Sequence, residues 1–395
     1  MDAIFLSAAA EELRKTITDA RVDKLQQPEK DVLILVCRGR EDGFRLLISA
    51  GHGSARVHVT EKPRDNPDTP PMFCMLLRKH LLGARITGLI QPPLERMYSI
   101  QFACYDDMGH PCEKTLVVEM MGRSTNIILV DGEGRIIDCL YRVDTEQEDK
   151  RRILPGLFYR LPPKTGKRDP YELGPEEFDL LYSSESPGEN ADTRLVNILS
   201  GFSPLLARET VFEAYGSCDL KAGQAGSAEL YRAYKRLTGE EKRPVMLLRD
   251  DKPFDLYCLP VRQYGTAVVT KEYDSFSKLM DDFYTERERA ERLSQKCRNM
   301  VKEVKTRRER AAKKLALRTA ELENAANREQ FRRSGDIIKA NIYRMQRGMS
   351  VLKAVDYYSE NGDETEIALD VRLSPQQNAA KYYKAYAKSK NAEKL

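Results

Sequence analysis

Tryptophan is absent, histidine occurs only four times, and none of the eight cysteines belongs to a Cys-x-x-Cys pair. His52, His58, His80 and His110 match no His-Glu-x-x-His or other metal-ligand spacing, which argues against a metalloenzyme. The cysteines, at 37, 74, 104, 112, 139, 218, 258 and 297, are scattered, mostly inside apolar stretches such as Phe73-Cys74-Met75. They read as reduced core thiols, neither a disulfide framework nor a zinc site. No metal and no cofactor is expected. No apolar run approaches the ~20 residues that span a bilayer, and Met1-Asp2-Ala3-Ile4-Phe5 lacks the basic region and apolar stretch of a secretory leader. The expectation is a cytoplasmic protein without a membrane partner.

What is present is a chain of 395 residues, 41% hydrophobic and 32% charged. That length suits two or three domains, and the composition excludes collagen-like, mucin-like and wholly disordered classes. The charge is unevenly spread. Residues 287–353 hold more than twice as many Lys and Arg as Asp and Glu, although the whole chain carries only +4, so the remainder is net acidic. A concentrated basic element suits a phosphate-rich partner, because each neutralised phosphate releases a counterion. A solvated helix face is the commoner meaning of such a run.

Hydrophobic spacing predicts a helix over 7–20, with Gln27-Pro28 closing that region, then strands over 31–37, 44–49 and 56–60. A second helix is expected over 72–82, followed by strands at 85–90, 97–105, 114–120 and 126–130, the last ended by Asp131-Gly132. This order is α+β without a βαβ repeat. Pro, Gly, Lys and Ser fill 154–188 as a boundary, after which 194–215 and 226–237 read as a small all-α insert. Strands at 244–259 and 266–270 are then expected to rejoin the first sheet. From about 281 to 327 a helix carries a seam: positions 297, 301, 304, 308, 311, 315, 318, 322 and 325 alternate steps of four and three. Seven of the nine are Cys, Val, Ala or Leu, so the seam needs a partner helix; Arg308 and Arg318 interrupt it. A β-hairpin over 355–371 and a returning helix from 375 are expected next. That helix stops before it could run the length of its partner, so the chain is expected to be part of a longer protein.

Several blocks together resemble the NFACT family: 70–81 (Pro-Pro-Met-Phe-Cys-Met-Leu-Leu-Arg-Lys-His-Leu), 46–50 with 55–58, Glu119-Met-Met-Gly-Arg123 with 126–129, and Leu154-Pro-Gly156. Ser200-Gly-Phe-Ser-Pro-Leu-Leu-Ala-Arg208 is similar to that family's helix-hairpin-helix module. The resemblance implies a mixed sheet with helices over 1–175, like the amino-terminal domain of formamidopyrimidine glycosylases. It implies the helix-hairpin-helix module over 176–242, a return over 243–280, and an antiparallel coiled-coil arm over 281–395 with a hairpin tip at 353–372.

The family's ribosome-quality-control members bind large ribosomal subunits obstructed by peptidyl-tRNA and recruit charged tRNA for template-free tailing of the stalled chain. In bacteria the tail is alanine. The resemblance therefore implies the large subunit and tRNA as partners, with the ribosome making the peptide bond and no nucleophile in this chain. It implies tRNA contact at Asp2, Glu95, Arg96, Glu119, Met120, Met121, Gly122 and Arg123, with Glu95 standing where the family's usual acid is Asp. A guanidinium forks onto two acceptors, which suits Arg96 and Arg123 to phosphates or base edges. For Lys302, Lys305, Arg307, Arg310, Lys313 and Lys314, contact with ribosomal RNA is the expectation. At Ser200-Gly201, presentation of backbone N–H groups to a phosphate and plain packing both stay open.

Two other classes compete. A DNA glycosylase of the similar fold would begin Pro-Glu after its initiator and end in a zinc finger; here Asp2 and Ala3 follow Met1 and no Cys pair exists. A surface adhesin for fibronectin or fibrinogen is disfavoured by the same missing leader and free cysteines.

Overall fold

The computed structural model describes residues 1–392 except 41, 145–150, 164–165 and 184–187. They form two units, Met1–Glu291 and Arg292–Leu395.

The first unit begins with α1 (Ala3–Ile17) and a four-strand meander, β1 (Arg21–Glu29), β2 (Val32–Arg38), β3 (Gly43–Ser49) and β4 (Arg56–Val59). After α2 (Met72–Leu81) comes a five-strand meander, β5 (Arg85–Ile90), β6 (Met97–Tyr105), β7 (Pro111–Glu119), β8 (Asn126–Asp131) and β9 (Ile136–Cys139). Both meanders are antiparallel and join through β1 and β5, Arg21 opposite Arg85, giving one sheet in the order β4-β3-β2-β1-β5-β6-β7-β8-β9. Side chains alternate between faces along a strand. In β6 to β8 both faces are buried: Ile100, Phe102, Leu116, Val118, Ile127 and Leu129 join the main core with α1 and α2, whereas Met97, Val117, Ile128 and Val130 form a second core with Ile153.

Strand β1 was not expected. Its sequence is polar, and register shifts between Val22 and Lys24 and between Gln26 and Glu29 interrupt the alternation that would reveal it. Pro28 falls inside the second shift, where a proline does not remove a regular ladder bond. Gln27-Pro28 therefore bends the strand and does not end it. Strand β9, only four residues long, was likewise not expected.

The helical insert comprises α3 (Pro175–Ser183), α4 (Ala191–Ile198), α5 (Pro204–Tyr215) and α6 (Ser227–Gly239). The first of these lies in the stretch expected to be a boundary; its buried Phe178, stacked on Tyr182 one helical turn away, holds it against Tyr231 and Tyr234. Next come β10 (Val245–Arg249), β11 (Lys252–Tyr257) and β12 (Val269–Glu272). They do not rejoin the first sheet. β10 is paired on one side by β11 and on the other by β12, so a separate sheet satisfies it, while Val245, Leu247 and Leu256 still pack into the main core.

The long helix α7 (Phe276–Ala326) starts in this unit. Its first turn is capped by Glu12 of α1, whose carboxylate accepts from the N–H groups of Phe276 (2.6 Å) and Ser277 (3.0 Å) and from the Ser275 hydroxyl (3.0 Å). A carboxylate at a helix start satisfies orphan donors and meets the positive end of the dipole. Further along, Asp281 accepts from Thr60 Oγ1 (2.7 Å), the Glu61 N–H (3.1 Å) and His58 Nε2 (3.3 Å). Glu288 accepts from Arg56 (2.6 Å) and Arg64 (2.7 Å).

The second unit holds the rest of α7, then α8 (Arg328–Ala340), β13 (Val351–Val355), β14 (Glu364–Ala368) and α9 (Pro375–Ala392). The hairpin and the returning helix thus occur, and Ile337, Ile338, Leu352, Ile367 and Ala379 form their core. Gly335 lets the Tyr383 ring approach so closely that a Cβ there would lie 3.2 Å from it. Asn378 ties the start of α9 to the preceding turn, accepting from Asp370 N–H (2.8 Å) and donating to Asp370 O (3.1 Å). The seam residues Val301, Val304, Leu315 and Leu322 are exposed.

Candidate nucleic-acid interface

Four segments distant in sequence meet at the start of α1. Asp2 is the N-cap of this helix: Oδ1 accepts from the Phe5 N–H (2.8 Å) and Oδ2 from the hydroxyl of Ser203 (2.6 Å), itself the N-cap of α5. Gln91 Nε2 donates to Ala3 O (3.1 Å) and to Glu95 O (2.9 Å), which ties the β5–β6 loop to the same point. Gly201, at φ +75°, turns between α4 and α5 so near this loop that a Cβ would sit 3.0 Å from Leu94 Cδ2 and 3.5 Å from Ala3 Cβ. The helix-hairpin-helix turn is therefore packed against its own protein, with its Ser203 hydroxyl committed to Asp2. Finally the Met120 N–H donates to Arg96 O (2.8 Å), joining the β7–β8 turn to the β5–β6 loop.

The Arg96 side chain is exposed and borders a cavity of about 110 Å³ whose wall includes Met1, Met120, Gly122 and Tyr284. Glu95 beside it is half-buried. Gly122 adopts φ +55° and is exposed in a single 3-10 turn, Gly122–Ser124, where the Gly122 carbonyl is 3.3 Å from His52 Nδ1. Met121 is half-buried and faces a larger cavity of about 610 Å³, bordered also by His52, Asn126, Tyr141 and Arg151. The Arg123 side chain lies outside the described residues.

Three of the residues implied as tRNA contacts are buried: Asp2, Met120 and Glu119. Glu119 ends β7 with no exposure, and its carboxylate is engaged by Arg151 Nη2 (2.7 and 2.5 Å) and by the Tyr159 hydroxyl (2.7 Å). It is not open to a ligand. A buried carboxylate at a strand end needs a cation and donors, because an uncompensated charge out of water is costly. Burial, with the Glu119 charge, pushes the Tyr159 phenol well up. Desolvation pulls the Arg151 guanidinium down, but its bonds to Glu119 outweigh this and hold it above its ordinary value. Arg151 and Tyr159 were not anticipated; the only sequence signal was an acid in an otherwise apolar strand, which demands a partner without saying where it lies.

In the second unit Lys302, Lys305, Arg307, Arg310, Lys313 and Lys314 are all exposed on α7, with Arg307 paired to Glu303 (2.5 Å). At roughly 100° per residue these six cover about half the circumference, and the apolar seam lies on the opposite face. Among the described residues no group of His, Cys, Asp and Glu could hold a metal ion, and no helix is long and apolar enough to cross a membrane.

Residues 2–395 match the family described as NFACT N-terminal and middle domains. The chain is 32% identical to the Rqc2 homolog RqcH of Bacillus subtilis over 397 residues, covering 99% of this chain and 67% of that protein. Among solved structures it is similar to the fibrinogen binding protein from Staphylococcus aureus (29% identity, TM-score 0.61, 72% of this chain and 98% of the other). It is also similar to the N-terminal part of the fibronectin/fibrinogen-binding protein from Streptococcus suis (26% identity, TM-score 0.60, 72% and 99%).

Proposed function

The chain belongs to the NFACT family, and from that premise we propose that it is a ribosome-associated quality-control factor. It binds large ribosomal subunits obstructed by peptidyl-tRNA and recruits charged tRNA, alanyl-tRNA being the expected donor, for template-free tailing that marks the nascent chain for degradation. The name of the Bacillus subtilis relative, an Rqc2 homolog, supports the ribosomal role. The observation that carries the tRNA reading is the meeting of the β5–β6 loop, the β7–β8 turn and the helical hairpin around exposed Arg96. One guanidinium at the rim of a concave site can fork onto a phosphate or a base edge, and splayed single-stranded bases are what RNA-binding surfaces read. The family resemblance implies that Glu95, next to Arg96 in the chain, accepts from a base amine or a ribose hydroxyl. The basic face of α7, opposite the seam, supports contact with ribosomal RNA.

In this reading the protein is an adaptor of the cytoplasm and not an enzyme: the ribosome makes the peptide bond. The test is capture of the protein from its own cells with sequencing of the bound RNA, repeated with the Glu95→Ala/Arg96→Ala double variant. Large-subunit RNA plus one tRNA family, the tRNA alone lost in the variant, is the expected outcome and names the amino acid. Absence of both RNAs from the wild-type capture overturns the reading.

A second reading, an adhesin, is favoured by the fibronectin- and fibrinogen-binding names of the two similar structures. Fibronectin binding that survives high salt and the loss of Arg96 would support it.

A further inference from the structure

We propose that Arg151, together with Tyr159, is a positioning residue for tRNA: the pair neutralises the buried Glu119 carboxylate and thereby fixes the β7–β8 turn beside Arg96. The inference rests on the tRNA reading above and adds residues that lie outside the implied tRNA-contacting set.

The geometry is a strap across the second core. Residues 151–159 run along the sheet, Ile136 N–H donating to Leu157 O (2.8 Å) and Tyr159 N–H to Gly134 O (2.8 Å), with Ile153 seated in that core. This path delivers Arg151 and Tyr159 to Glu119. Arg151 is itself held: Nη1 donates to Arg160 O (2.8 Å), and its guanidinium lies 5.5 Å from the Tyr159 ring centre. Both Glu119 oxygens accept from the strap, at 2.7 and 2.5 Å from Arg151 and at 2.7 Å from Tyr159.

The next residue after Glu119 is Met120, whose N–H makes the bond to Arg96 O. From the far side the turn is held by Thr125 Oγ1 donating to Ala50 O (2.8 Å). The turn is thus clamped at both ends, and Glu119 is the clamp nearer Arg96. Without Arg151 the buried carboxylate keeps the Tyr159 hydroxyl but loses its cation, which is strongly unfavourable. The end of β7 relieves this by moving towards water, and the Met120–Arg96 link moves with it. Arg151 therefore acts on tRNA through Glu119 and touches no phosphate.

The experiment measures affinity of the full chain for an alanine tRNA transcript at several salt concentrations, with thermal unfolding of each variant. Arg151→Gln is expected to weaken binding about tenfold or more and the milder Tyr159→Phe severalfold, while Arg151→Lys recovers part of the loss. Leu77→Ala, in the main core on α2 and outside the strap, serves as a stability control, and it should leave affinity within about twofold even where its melting temperature falls as far. The slope of log affinity against log salt should be the same for Arg151→Gln and wild type. A slope smaller by about 0.7–0.9 would assign Arg151 a direct phosphate interaction instead and overturn the inference. Unchanged affinity in both Arg151→Gln and Tyr159→Phe, or weaker binding by Leu77→Ala in step with its melting temperature, also overturns it. Wild-type protein that fails to bind the tRNA sinks the parent reading, a result separate from these.

Discussion

Arg56 of β4 and Glu288 of α7 are 232 residues apart in sequence, and their side chains meet at 2.6 Å. Arg56 is 1% exposed, donates also to Ser54 O (2.7 Å), and lies 4.2 Å from the Tyr284 ring centre. The base of the long helix is therefore set on the sheet edge by a buried cation, with Arg64 and Glu29 completing the chain of charges.

A buried cation is costly to leave without its anion, because it has no water to turn to. Glu288→Ala, which strands buried Arg56, is expected to destabilise the first unit by about 3–5 kcal/mol, and Arg56→Ala by less, because Glu288 is partly exposed and keeps Arg64. The double variant should cost less than the sum, since the two residues share one interaction. Urea unfolding of the four proteins measures the coupling; additive losses would show that the pair does not act as a unit.

The same anchor predicts a pH dependence. Burial is the main cause holding the His58 imidazole below its usual 6.5, against the raising effect of the bond to Asp281; Arg56 and Arg64 add to the lowering. In the unfolded chain His58 regains its ordinary value, so below about pH 6.5 the unfolded state binds the extra proton. Stability is whole above that pH and falls as acid is added, with a slope of up to about 1.4 kcal/mol per pH unit for one proton. Burial alone would raise Asp281, but hydrogen bonds from His58 and Thr60 set it below 3.8, so its contribution is lost only at lower pH. His58→Gln keeps a donor for Asp281 and removes the titration. Its stability should decline less steeply than the wild type's between about pH 6.5 and 4.5, with His80, which burial also holds low, keeping part of the slope, as read by denaturant midpoints across that range.

Gly201 combines a left-handed backbone with a close approach. An alanine there meets both φ +75° and a 3.0 Å approach to Leu94 Cδ2. Gly201→Ala should cost roughly 1–3 kcal/mol in thermal unfolding. Adding Leu94→Ala should recover part of that cost, because it removes the clash and leaves the backbone strain. Full recovery would mean that the dihedral contributes nothing.

On α7, replacing Lys302, Lys305, Lys313 and Lys314 by Glu should weaken binding to purified large subunits and lessen its salt dependence, by about 0.7–0.9 in log–log slope for each phosphate no longer neutralised. Capture of free tRNA should be unaffected. Equal subunit affinity after the four reversals would remove this face from the interface.

Sequence alone determined what depends on short-range periodicity and composition. Both sheet-covering helices, seven of the first nine strands, the long helix α7, the hairpin and the returning helix were legible from apolar spacing and turn residues, whereas the seam along α7 is exposed. Similar motif blocks carried the family, and with it the positions around Arg96. Only the tertiary structure decided what depends on partners far apart in the chain. β1 is held in the sheet by its neighbours despite two register shifts, and α3 is held by aromatic packing against α6. β10 takes its partners from its own segment, so the last strands of the first unit form a second sheet. Glu119 and Asp2 read as charges offered to a ligand, yet each is buried under donors brought from elsewhere, Arg151 and Tyr159 for one and Ser203 for the other. The reason is physical: a carboxylate looks the same in sequence whether it faces water or a guanidinium, and only the folded chain settles which of them reaches it first.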